Sequence, residues 1–152
     1  MGGRSLEDAY VSGAIALIVA DTSTWVEFLK ATGHRVAVTL RRLIDHGEDV
    51  AITEVILMEL LAGSGTGSPA RELRSRLLSF PVLPLEGLAD FEEAAVIYRT
   101  CRERGDTLRS LSDCLIAVPV IRSGAELLHN DTDFVRIARH TALRLHTSSA
   151  RE

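Results

Sequence analysis

The chain has 152 residues, 46% apolar and 25% charged, and its 17 basic and 21 acidic side chains give a formal charge of −4. These values suit one globular domain and exclude a disordered or fibrous chain. No apolar run is long enough for a transmembrane helix, and an acidic chain is not one that coats duplex nucleic acid non-specifically.

Residues 1–14 read as a loosely ordered leader, and residues 15–150 as a single domain. Glu7 and Asp8 argue against a basic secretory leader. Leu6 stands where a myristoylation motif after Gly2 needs Ser or Thr. The expected compartment is the cytoplasm, where Cys101 and Cys114, both in apolar helical patterns, remain buried thiols.

Ile15 to Ala20 is a continuous apolar run fit for a buried parallel strand. Thr24-Trp-Val-Glu27 has the spacing of a capping box and predicts a helix start. Val36, Leu40, Leu43 and Ile44 recur at helical spacing, and Gly47 ends that helix. Val50-Ala-Ile52 is a short strand, with Thr53 as cap of a helix running to about Ala62. A Gly/Ser-rich loop leads to Pro69, which suits the first turn of a third helix. Val82-Leu83, between two prolines, is at best an edge strand. A long amphipathic helix from Leu88 ends at Gly105. Ser110-Leu-Ser-Asp113 is a second capping box, opening a helix to about Arg122 in which Pro119 predicts a kink. Glu126 to His129 is a strand, Thr132 to Arg139 a helix and Leu143 to His146 a last strand. Strands alternating with helices predict an α/β fold, a three-layer α/β/α sandwich around a mostly parallel sheet. In such a sheet, reactive groups gather beyond the carboxyl ends of the strands.

That is where the acids lie. Asp21 follows the first strand, and the capping box at Thr24 leaves it available for chemistry. Glu59 lies on a largely apolar helix stripe, where a carboxylate costs free energy unless paired or bound to a metal. Glu54 is about 140° round the same helix and is explained by the helix dipole. Asp113 fits a helix N-terminus, so its structural reading is strong. Of Asp131 and Asp133, one should cap the next helix and leave the other free. Clustered carboxylates repel, and they persist mainly where a divalent cation neutralises them. An all-oxygen set suits Mg²⁺ or Mn²⁺ rather than zinc and supports phosphoryl chemistry.

Competing readings are weaker. A receiver domain needs a late lysine, and Lys30 is the only one. A dehalogenase-type phosphatase needs a second Asp where Ser23 stands. A metal-dependent adhesion module wants Asp-x-Ser-x-Ser, and Trp25 replaces its last serine. His129 and His146 are expected at the surface rather than as bases.

Four ordered blocks resemble PIN-domain ribonucleases, and most closely the VapC toxins: Ile18 to Trp25, Thr53 to Gly63, Arg109 to Ala117 and Leu128 to Phe134. The resemblance implies a Mg²⁺- or Mn²⁺-dependent endoribonuclease that cuts structured RNA, tRNA or rRNA, and so inhibits translation. It implies Asp21, Glu59, Asp113 and Asp131 as the acidic quartet. Asp21, Asp113, Asp131 and Asp133 would be the metal ligands. Thr22, Ser23 and Ser112 would orient water or phosphate, Asn130 would steady the site, and Arg109 would meet RNA with Arg102 and Arg104. It also implies a homodimer and a VapB-like antitoxin, with no membrane partner. The rival reading is a catalytically silent PIN-like or adhesion-like metal-binding module that acts through a protein partner.

Overall fold

The computed structural model describes residues 16–152. The leader expected over residues 1–14 and the strand start at Ile15 lie outside the described residues. Five strands form one sheet: β1 (Ile18–Ala20), β2 (Val50–Thr53), β3 (Val82–Leu83), β4 (Glu126–Leu128) and β5 (Arg144–Leu145). Their order is β3-β2-β1-β4-β5, and every pairing is parallel. The central strands β1 and β2 are buried on both faces, as their unbroken apolar character requires. The two-residue edge strand β3 follows Pro81, where a missing N–H does least harm.

Among the described residues seven helices connect the strands: α1 (Thr22–Leu29), α2 (Arg35–Asp45), α3 (Glu54–Gly63), α4 (Ser68–Leu77), α5 (Leu88–Glu103), α6 (Leu111–Ser123) and α7 (Thr132–His140). From β1 the chain steps outward to β2 and β3, whereas from β4 it steps the other way to β5. Right-handed crossovers then put α1 to α4 on one face and α5 to α7 on the other. The packing agrees: α1 meets α2 and α3, while α5, α6 and α7 meet one another. The result is the expected three-layer α/β/α sandwich. The reversal falls between β1 and β4, which are neighbours, so a crevice opens at their carboxyl ends.

Local chemistry departs from the sequence reading at two helix ends. The cap of α1 is Asp21, whose Oδ2 accepts from the Ser23 N–H, not Thr24. Thr24 lies inside the helix, and its hydroxyl donates to the Leu128 carbonyl at 2.8 Å, tying α1 to the end of β4. A long-range hydrogen bond has displaced the local capping box. At α6, Ser110 is the cap residue but makes no side-chain cap bond; its hydroxyl pairs with that of Ser112 at 2.7 Å. Thr53 caps α3 as expected, through the Ile56 N–H.

Helix α6 runs through Pro119 as one element and stops at Gly124, in the left-handed conformation that glycine adopts without steric cost. Cys101 and Cys114 are buried free thiols. Trp25 is also buried, edge-on to Phe28 and Phe80, so its ring is spent on packing.

Candidate active site

The crevice at the switch point collects acids from four elements. Asp21 ends β1, Glu59 projects from α3, Asp113 sits in the first turn of α6, and Asp131 and Asp133 follow β4. Carboxylate oxygens of Asp113, Asp131 and Asp133 lie within 4.8 Å of one another. Asp21 and Glu59 stand close enough to raise the Asp113 carboxyl electrostatically. The structure therefore brings together all five acids singled out in the sequence.

Their environments differ. Asp113 is 7% exposed, and its Oδ2 has no hydrogen-bond partner among the described residues. Burial, then the charges of Asp21, Asp131, Asp133 and Glu59, push its carboxyl up to about 8. Asp21 is raised to about 6, chiefly by burial, against the Ser23 hydroxyl and N–H that favour its charged form. Its Oδ1 is likewise buried and has no partner among the described residues. Glu59 is half-buried and raised by that burial, while the Thr22 hydroxyl donates to its Oε1 at 3.0 Å. Glu54, by contrast, faces away and accepts from the Leu85 N–H.

The pair after β4 behaves differently from expectation. Asp131 caps α7 through the Asp133 N–H. Asp133 is not left free: it is fully buried, accepts from the Arg109 N–H at 2.8 Å and pairs with Arg136 at 2.7 Å. The Arg109 guanidinium spans both acids, 2.7 Å from Asp131 Oδ1 and 3.5 Å from Asp133 Oδ1. Arg102 and Arg104 are exposed near the end of α5, with Arg102 over the Tyr98 ring.

The polar residues around the acids act largely as struts. The Ser23 hydroxyl donates to Asp21 at 2.6 Å and accepts from the Asn130 N–H at 2.8 Å, joining the ends of β1 and β4. Asn130 thus steadies the site through its backbone. Ser112 is engaged by Ser110.

His129 overturns the surface expectation. It is fully buried, and its Nδ1 accepts from the Asp131 N–H, so Nε2 carries the proton and has no partner among the described residues. Burial lowers it to about 4, against the Asp131 charge, so the ring is neutral near pH 7. Sequence reasoning missed two supports of the site, His129 and Arg136. Arg136 lies three residues after Asp133, a helical ion-pair spacing that was available in the sequence. Nothing local marks His129 as buried.

An oxygen-only donor set, with two buried carboxylate oxygens unpartnered among the described residues and Asp113 raised by its acidic neighbours, fits a hard divalent cation. The PIN domain family matches residues 18–140. Ribonuclease VapC11 of Mycobacterium tuberculosis is 43% identical over 129 residues, covering 84% of this chain and 96% of that protein. A VapC ribonuclease of Mycobacterium bovis matches to the same extent. Among solved structures, VapBC2 of Rickettsia felis bound to promoter DNA has a TM-score of 0.64 at 19% identity, covering 86% of this chain and 97% of that one. A toxin–antitoxin complex from Klebsiella pneumoniae has a TM-score of 0.61 at 20% identity, covering 86% and 99%. The chain belongs to the PIN-domain family, and within it to the VapC ribonucleases.

Proposed function

We propose that this protein is a Mg²⁺- or Mn²⁺-dependent endoribonuclease, the toxin of a toxin–antitoxin pair, that cuts tRNA or rRNA and thereby inhibits translation. The observation that carries the reading is the acidic crevice itself: Asp113, Asp131 and Asp133 within 4.8 Å, with Asp113 pushed up to about 8 in their company. Such repulsion is relieved by a cation. The family supports the same chemistry, because its 43%-identical relatives are named ribonucleases.

Asp21, Asp113 and Asp131 would hold the ion, with Asp133 behind them. A bound Mg²⁺ or Mn²⁺ polarises the phosphate and acidifies a coordinated water. Glu59, raised by burial and not committed to a cation, can hold the proton that the attacking water gives up at its Oε2, while Thr22 fixes Oε1. Ser23 and the Asn130 N–H hold Asp21 against the end of β4, which sets the spacing of the acids. His129 does the same for the Asp131 backbone.

A VapB-like antitoxin is the proposed partner, supported by VapC membership and by neighbours solved as VapBC and toxin–antitoxin complexes. The proposed assembly is a homodimer. Exposed Phe91 and Leu111, which line one cleft with Ala95 and Leu115, offer an apolar face for it. The protein would act in the cytoplasm, where translation runs. Among the described residues no helix is long and apolar enough to cross a membrane.

The test is to incubate antitoxin-free protein with end-labelled cellular RNA, in Mg²⁺, Mn²⁺ or EDTA, beside Asp113→Asn. Discrete metal-dependent cuts absent from the variant are expected. No cuts from folded, metal-binding protein would instead favour a silent binding module.

A further inference from the structure

We propose that Arg109 is a built-in counterion of the acidic centre, which the divalent cation displaces and which then takes the RNA phosphate. The inference rests on the metal-dependent ribonuclease reading and adds a second task for one side chain.

Among the described residues two arginines touch the cluster, and they are held differently. Arg136 lies on α7, three residues after Asp133, with its side chain 29% exposed. Its own helix keeps it beside the acid. Arg109 belongs to the loop before α6, and its side chain is 68% exposed. Its guanidinium makes ion pairs with Asp131 and Asp133 while the rest of the side chain stands in solvent. Moving it costs little packing.

Its backbone is anchored, however, because the Arg109 N–H donates to Asp133 Oδ2 at 2.8 Å. The side chain can therefore leave the acids without the loop leaving the site.

Asp131 is the shared element. Its Oδ1 takes the Arg109 guanidinium at 2.7 Å, and it contributes to the three-carboxylate cluster. A divalent cation seated among Asp113, Asp131 and Asp133 would share a carboxylate with a guanidinium, and like charges at that distance repel. The more exposed of the two, Arg109, is the one to yield. A carboxylate rim also repels an incoming phosphodiester. A guanidinium released at that rim, planar and suited to two-point contact with phosphate, offsets the repulsion. Metal entry and RNA docking are thus coupled through one residue.

The test uses the full-length, antitoxin-free protein, stripped with EDTA and titrated calorimetrically with Mn²⁺ alone. Arg109→Gln keeps the backbone N–H and removes the competing charge. Its Mn²⁺ affinity is expected to rise about 1.5-fold to fivefold over wild type, the range for an exposed ion pair. Arg109→Met is expected to do the same, and serves if the glutamine variant fails to fold. Arg109→Lys should stay near wild type. On an RNA that the wild-type protein cuts, Arg109→Gln should raise KM more than it lowers kcat. Unchanged or weaker Mn²⁺ binding in both neutral variants, with wild type binding normally, would overturn the displacement and leave the ribonuclease reading standing. Tighter Mn²⁺ binding with an unaltered KM would overturn the transfer to phosphate. Absence of Mn²⁺ binding in every form would remove the metal reading and this proposal together.

Discussion

Two aspartates sit in the first turns of neighbouring helices, α5 and α6, and both are buried: Asp90 is 5% exposed and Asp113 is 7% exposed. Asp90 has a dedicated cation. Its Oδ1 pairs with Arg122, and its Oδ2 accepts from the Glu86 N–H at 2.8 Å. Burial works against its charge, but these partners hold the carboxyl below the usual range. Asp113 has carboxylates for company and an orphaned oxygen, and is pushed up to about 8. The same residue type, at the same helix position and the same depth, serves two ends. Asp90 fastens α5 to the end of α6. Asp113 keeps a proton at neutral pH because ionising it beside those charges is costly, a cost that a cation can offset. A buried acid with its own counterion reads as structure, and one among like charges reads as a site.

Breaking this contrast at Asp113 should have the largest effect. Asp113→Asn is expected to lower RNA cleavage by at least about 100-fold, with an unchanged circular dichroism spectrum. Asp21→Asn should behave alike, and initial rates on end-labelled RNA check both. At the other end, Asp90→Asn should leave the rate per folded molecule intact and cost about 2 kcal/mol, because Arg122 loses its buried partner but still reaches solvent. Thermal unfolding should then fall by about 4–8 °C. Saturating Mg²⁺ or Mn²⁺ sharpens the comparison further. At about 100 times its Kd the ion should stabilise wild type by about 2.7 kcal/mol and Asp113→Asn far less, read by thermal shift against an EDTA control.

The smallest effect is with pH. Metal-free Asp113 holds its proton up to about pH 8, whereas the unfolded chain has released it well below that. The folded state therefore binds more protons in between, and this group adds stability as pH falls through 8. The melting temperature of EDTA-treated protein should rise by a few degrees between pH 9 and pH 6.5. Asp113→Asn should flatten that slope, and an equal slope in the variant would assign it to other groups.

Much of the fold was legible because it is written in short-range pattern. Thr53 as a cap, Pro69 in a first turn and Gly105 just after the end of α5 each depend on a few adjacent residues. The acids were legible because they follow apolar runs. The capping box at Thr24 was misread because its hydroxyl goes to Leu128, 104 residues away. The freedom expected of Asp133 was misread for the same reason, since the Arg109 N–H comes from 24 residues upstream.

The sequence by itself therefore determined the alternation of strands and helices, the parallel sheet and the candidate acids at its strand ends. Periodicity and local hydrogen bonding act over three or four residues, and a linear pattern records them. Only the tertiary structure decided which acids are desolvated, which have a cation of their own, and that His129 is a buried support rather than a surface residue. A carboxylate's charge state depends on everything within several ångströms. In this sandwich those neighbours come from β1, α3, α6 and the turn after β4, which only the folded sheet brings to one crevice.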